Sequence, residues 1–183
     1  MSDFQTTVDM NVNYEDEKKE EIVGLDDDTE TFQLKDKDGY TVELSRKYAS
    51  ISNLLKTMFE SPQSESDEIE ITSVKPETLK KVVDYINHHK GVEPPIIEKP
   101  LKSTNMKDVC KDSWDADFID NIGQNQKDLH DLIMAANYFH IPSLLHLGSA
   151  KVASLIKGKP LDKIKEILSV IPDSSHTIEE KKD

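Results

Sequence analysis

Residues 31–60 read TFQLKDKDGYTVELSRKYASISNLLKTMFE, and the change of hydrophobic period inside this stretch decides the fold. Phe32 and Leu34 alternate with polar neighbours, Asp36-Lys37-Asp38-Gly39 supplies turn residues, and Tyr40, Val42 and Leu44 alternate again. Side chains along a strand point to opposite faces with a period of two, so this pattern predicts a β-hairpin with one buried face. From Ile51 the period lengthens. Ile51, Leu54, Leu55, Met58 and Phe59 recur at the spacing that puts side chains on one face of an α-helix. Ser45 and Ser50 are each suited to cap a helical start.

Downstream the alternation of periods continues. Residues 61–67 are polar and contain Pro62; Ile69 and Ile71 then alternate with Glu68 and Glu70 in a short strand. Pro76 suits the first turn of a helix whose buried face is Leu79, Val82, Val83 and Ile86. Residues 90–113, with Pro94, Pro95 and Pro100 and few periodic apolar positions, read as an extended, mobile loop. Beyond it, Leu129, Leu132, Ile133 and Ala136 mark a helix that ends near His140. Pro142 starts another helix carrying Leu145, Val152, Leu155 and Ile156, and Gly158 stops it, with Lys157 placed to meet the negative end of its dipole. Pro160 opens a last helix with Leu161, Ile164, Ile167 and Leu168 on one side, before Pro172 and a charged end. The fold class predicted is α/β (α+β), a small sheet with helices followed by C-terminal helices.

Upstream of the hairpin the composition shifts. Residues 1–30 hold 11 Asp and Glu against 2 Lys, a net of -9 out of the chain's -13, which leaves -4 for the rest. Such a segment buries too little apolar surface to offset its ordering entropy and reads as a disordered acidic tail. It carries neither a basic leader nor an apolar run, so a signal peptide is not expected. Charges interrupt every hydrophobic run before the roughly 18 apolar residues of a membrane span, so no membrane partner is expected. An acidic chain also lacks the basic face that displaces counterions from a phosphate backbone, which argues against nucleic acid as a partner. Cys110 is the single cysteine among 183 residues, excluding an internal disulfide and fitting a reducing compartment.

A search for chemistry returns little. No phosphate-cradling glycine pattern is present among six glycines. His88 and His89 are adjacent, point in different directions from one helix end, and read as surface residues. His130, His140, His146 and His176 are dispersed, so no metal or other cofactor is expected. Cys110 has no sequence neighbour that would activate it as a nucleophile. Trp114, with Asp115 and Phe118, either fastens the loop back to the core or anchors an interface, the first being the ordinary role of a lone tryptophan. Gly148 costs a helix about 1 kcal/mol against alanine, and the close approach of a partner backbone is one reason to keep it there.

Five segments taken in order resemble a known family: Lys56-Thr57-Met58; Tyr85 with His88-His89-Lys90; Trp114-Asp115 with Phe118; Ala135-Ala136-Asn137-Tyr138; and Val152-Ala153 through Ile156-Lys157-Gly158-Lys159. The chain resembles the S-phase kinase-associated protein 1 group, adaptors of the SCF ubiquitin ligases, over most of residues 31–168. The resemblance implies a BTB/POZ domain over 31–141, a helical F-box-binding region over 142–171 and a flexible end over 172–183. It implies a non-catalytic adaptor, cytoplasmic and nuclear, that bridges F-box proteins to a cullin scaffold. Carried over by position, Asn137 and Tyr138 fall where the family meets the cullin. Leu145, Val152, Ile156, Ile164 and Leu168 fall where it packs on the F-box. A weak homodimer is expected when the chain is unpartnered.

Two alternatives share the fold: a structural subunit of a non-ligase complex with the same F-box-binding region, and an adaptor like elongin C. Elongin C stops near the helix that contains Asn137 and Tyr138, so residues 142–168 argue against it. Thr177-Ile178-Glu179-Glu180 resembles the beginning of the family's terminal helix, with the remainder expected to be missing. The acidic tail has no counterpart in the family pattern.

Overall fold

The central strand is β1 (Thr31–Asp36), and both its neighbours are chosen by the buried face it presents. β2 (Thr41–Ser45) pairs with it antiparallel, Phe32 opposite Leu44 and Leu34 opposite Val42. β3 (Glu68–Ile71) lies on the other side and runs parallel, Leu34 opposite Ile69 and Asp36 opposite Ile71, giving the order β2-β1-β3. A parallel neighbour requires a crossover. α1 (Arg46–Ala49) and α2 (Asn53–Glu60) lie in that connection. The computed structural model describes residues 30–36, 39–60 and 68–169. The readings made of residues 1–29, of Lys37 and Asp38 in the turn, of the 61–67 linker and of 170–183 fall outside these.

The helical stretch expected after the hairpin is divided in two, and its caps differ from expectation. Ser45 begins α1 without a capping side-chain bond, because its backbone is still extended and paired to Thr31 at the end of β2. Ser50 closes α1 instead of opening α2, its hydroxyl donating to the Lys47 carbonyl at 2.7 Å. The cap of α2 falls two residues later, where the Ser52 hydroxyl accepts from the Leu55 amide at 3.2 Å. Ile51 is buried, and this is what turns the chain between the two helices.

α3 (Pro76–His89) buries Leu79, Val82, Val83 and Ile86, the face read from the sequence, and Thr78 and Tyr85 besides. It ends on Lys90 in the left-handed conformation, with the Lys90 amide on the Ile86 carbonyl. The following stretch, read as an extended loop to residue 113, contains a helical turn. α4 (Met106–Val109) forms because the Asn105 side chain accepts from the Lys107 amide and because Met106 is fully buried, an anchor that apolar periodicity over so short a turn does not reveal. Residues 90–105 form a strap across the surface. Its far end is held by the Lys157 ammonium, which donates to the carbonyls of Leu101 and of Lys102. Lys157 thus serves two backbone groups of the strap.

α5 (Ser113–Ile122), α6 (Gln126–Tyr138), α7 (Pro142–Ile156) and α8 (Leu161–Ser169) complete the described chain. The buried residues form one cluster from Phe32 and Leu34 through Leu79, Leu132 and Phe139 to Leu144, Leu147 and Ala150. The start of α7 is therefore a change of direction within a single core. Gly148 explains itself within that core: a Cβ there would lie 2.6 Å from Ile133 Cγ1, so the approaching group is α6 of the same chain and no external partner is needed. Among the described residues no helix is long and apolar enough to cross a membrane.

Candidate interaction surfaces

The first junction joins α2 to α6. The C-terminal carbonyls of α6 would lack partners within the helix. Those of Phe139, its C-cap, and of His140 just beyond it are met by the start of α2: the Asn53 amide donates to His140 O at 3.2 Å, the Leu54 amide to Phe139 O at 3.3 Å, and the Ser52 hydroxyl to Phe139 O at 2.6 Å. His140 takes a positive φ of 50° to turn the chain at this point. The segments Lys56-Thr57-Met58 and Ala135–Tyr138, far apart in sequence, are in this way carried by two helices that meet end to end. On α6, Asn137 is exposed, Met134 is exposed, and Tyr138 is half-buried with its ring edge-on to Phe139 at 5.3 Å.

The second junction is an aromatic stack between the end of α3 and the start of α5. His88 lies flat on Trp114 with centroids 3.9 Å apart, and Trp114 lies on Phe118 at 4.7 Å. His88 Nε2 is 2.8 Å from Asp112, which also accepts from the Trp114 amide. Both contacts favour the charged form, the His88 bond more strongly, and they hold the Asp112 carboxyl below its ordinary value. His89 Nε2 is 2.9 Å from Asp115, and both side chains are 8% exposed. The reading of these histidines as surface residues is thus corrected for His89. Its carboxylate partner lies 26 residues away, and adjacency in sequence carries no sign of it. Trp114 does fasten the returning chain to the core, as its ordinary role predicted. Cys110, at the C-cap of α4, is half-buried; burial, with Asp115, Asp120 and Asp112 behind it, pushes the thiol up to about 11, so it stays protonated near neutrality. Among the described residues no group of three His, Cys, Asp or Glu could hold a metal ion.

The third region is the end of α7 with α8. Leu145 and Val152 are half-buried and packed against the core. Ile156 is half-buried outside the core cluster. Gly158, at φ 73°, ends the helix and lets the chain enter α8. α8 buries none of its side chains: Ile164 and Ile167 are half-covered, Leu161 is 64% exposed and Leu168 38%. Its apolar residues nevertheless lie on one side, as 161, 164 and 168 do at helical spacing. Among the described residues nothing fully buries this side, and an apolar helical side left partly open is the kind of surface another helix uses. The structure thus brings Ile156, Ile164 and Leu168 to the same end of the molecule and gives Leu145 and Val152 a share in the core. Asn137 and Tyr138 belong to a different junction.

A family model described as the Skp1 family tetramerisation domain matches residues 30–91, and one described as the Skp1 family dimerisation domain matches residues 142–182. An S-phase kinase-associated protein 1 homolog of Tetrahymena thermophila is 42% identical over 132 residues, which cover 72% of this chain and 77% of the relative. Proteins named E3 ubiquitin ligase complex SCF subunit sconC are 34% identical in Arthroderma benhamiae, covering 79% of this chain and 86% of the relative, and 32% identical in Neosartorya fischeri, covering 78% and 87%. The sheet with its crossover, the helices that follow and the identity sustained across both halves lead to one conclusion: the chain belongs to the Skp1 family.

Proposed function

We propose that this chain is a non-catalytic adaptor of an SCF-type ubiquitin ligase, bridging F-box proteins to a cullin scaffold in the cytoplasm and nucleus. The observation that carries the proposal is α8, an amphipathic helix with no side chain buried among the described residues. An exposed apolar helical side is suited to receive another helix. Ile156, Ile164 and Leu168 supply the F-box contacts, with Leu145 and Val152 setting the helix that presents them. Asn137 and Tyr138 supply the cullin contact, on a surface stiffened by the α2–α6 junction. Relatives named as SCF subunits support the reading. An elongin C-like adaptor is disfavoured by α7 and α8 themselves.

The test is co-purification with the tagged full chain. Ile156→Asp combined with Leu168→Asp is expected to reduce F-box recovery at least tenfold, on the order expected when a charge is placed in a desolvated contact. Cullin recovery and the circular dichroism spectrum are expected to stay unchanged. Asn137→Ala with Tyr138→Ala is expected to do the converse. F-box recovery without a cullin from the unmodified chain would instead favour a structural subunit of a non-ligase complex.

A further inference from the structure

α7 and α8 carry the positive charge of an acidic chain. Residues 142–169 hold five lysines, at 151, 157, 159, 163 and 165, against Asp162 and Glu166 alone. No other part is positive: residues 1–29 hold ten Asp and Glu against two Lys, residues 30–141 twenty against fourteen Lys and Arg, and residues 170–183 four against two. Two of the five lysines are neutralised within the fold, Lys151 by Asp120 and Lys163 by Glu166. Lys157 is bonded to two uncharged carbonyls of the strap, and among the described residues Lys159 and Lys165 meet no carboxylate. All three are exposed. At helical spacing Lys165 stands one turn from Leu161 and one turn from Leu168, the two leucines that α8 exposes. A strip of exposed leucine with lysine set into it fits a segment that is apolar and acidic at once.

The chain holds such a segment outside the described residues. We propose that residues 3–17 fold back onto α8, Phe4, Val8 and Val12 against Leu161 and Leu168, and Glu15, Asp16 and Glu17 near Lys159 and Lys165, so that the chain covers its own partner-binding side. With a net of -8 against -2, residues 1–29 match the lysines better than residues 170–183 do. Length permits the contact. From Glu30 back to Val12 the chain reaches about 60 Å when extended, against a described body roughly 37 Å across. Tethering also lowers the demand on affinity, because a tether of this order supplies an effective concentration in the millimolar range. A contact with a dissociation constant of about 1 mM is then occupied roughly half the time. The surface is the one assigned above to the F-box, so the effect on partner affinity rests on that reading, whereas the contact itself does not.

The test places a nitroxide spin label on the full chain through Ser2→Cys, in a Cys110→Ala background, and reads the broadening of backbone amide signals. Leu161, Lys165 and Leu168 are expected to broaden, and the effect is expected to weaken in about 1 M salt, where the Debye length falls to about 3 Å. Lys159→Glu combined with Lys165→Glu changes two exposed side chains and is expected to abolish the broadening. Phe4→Ser combined with Val8→Ser, outside the described body, is expected to do the same. No broadening at α8, or broadening unchanged in both variants, overturns the proposal. So does broadening that arises only between a spin-labelled chain and a separate isotope-labelled one, because the occupant is then a second copy. Titration with an F-box helical segment separates the two readings. The Phe4→Ser, Val8→Ser variant is expected to bind it about twofold more tightly, as follows when half the chains are released from cover. Unchanged affinity overturns the covering role, whereas a segment that binds no form of the chain refutes the F-box site and leaves the spin-label result standing.

Discussion

Asp112 performs two tasks in the turn that begins α5: it accepts the first free amide of that helix and it meets His88. Because both contacts favour the ionised carboxylate, its pKa is lower in the folded chain than the ordinary 3.8. A depressed pKa contributes stability above the unfolded value, and that contribution is lost as pH falls through the folded one. Asparagine caps a helix as well as aspartate does, so Asp112→Asn isolates the charge. The variant is expected to be less stable to urea than the parent at pH 7, by less than about 1 kcal/mol because the side chain is well exposed. The gap is expected to narrow as pH falls below 3.8 and to close below the depressed folded value; a gap independent of pH would show that the charge is irrelevant. Asp112 fell inside the stretch read as an extended loop, so its cap of α5 was not read from the sequence. Its pairing with His88, and that of Asp115 with His89, was not read either, since sequence shows which groups are chargeable and not which ones folding brings within 3 Å.

The elements divide by how much of their burial is periodic. α3 was readable because four of its buried residues are aliphatic and recur at helical spacing. α5 was not, because its four buried residues include Asp115 and Ala116, and Trp114 is covered by His88 while Phe118 meets Trp114 and Tyr85, not a uniform apolar wall. Of the candidate surfaces, the amphipathic side of α8 could be read directly, whereas the capping of α6 by α2 could not. The α6–α7 crossing depends on Gly148. Alanine is the better helix former by about 1 kcal/mol, but here its methyl would meet the branch of Ile133 and force a shift costing roughly 1–3 kcal/mol. Gly148→Ala is therefore expected to lower stability in the parent. In an Ile133→Ala background, where the obstructing carbon is gone, the same substitution is expected to raise it, and a double-mutant cycle by urea denaturation measures the coupling.

At the scale of the molecule, one continuous core joins the sheet to α7, so the residues on either side of 141 and 142 share one buried cluster. Unfolding followed by Trp114 fluorescence and by far-ultraviolet circular dichroism is expected to give coincident midpoints; separate midpoints would mean that the helices from α5 onward melt on their own. α8 stands apart from that cluster, since it contributes no buried side chain. Nine residues are fewer than the roughly 12–15 at which an isolated helix becomes even marginal in water. Local supports such as the Lys163–Glu166 pair at 2.7 Å add only tenths of a kcal/mol. Under the proposed docking of an F-box helix, part of the free energy that keeps this helix wound comes from the partner. Affinity at this end of the molecule is in consequence adjustable from residues no partner touches: a change in helix propensity on the water-facing side of α8 alters how much of each docking event is consumed in winding, and does so equally for every partner.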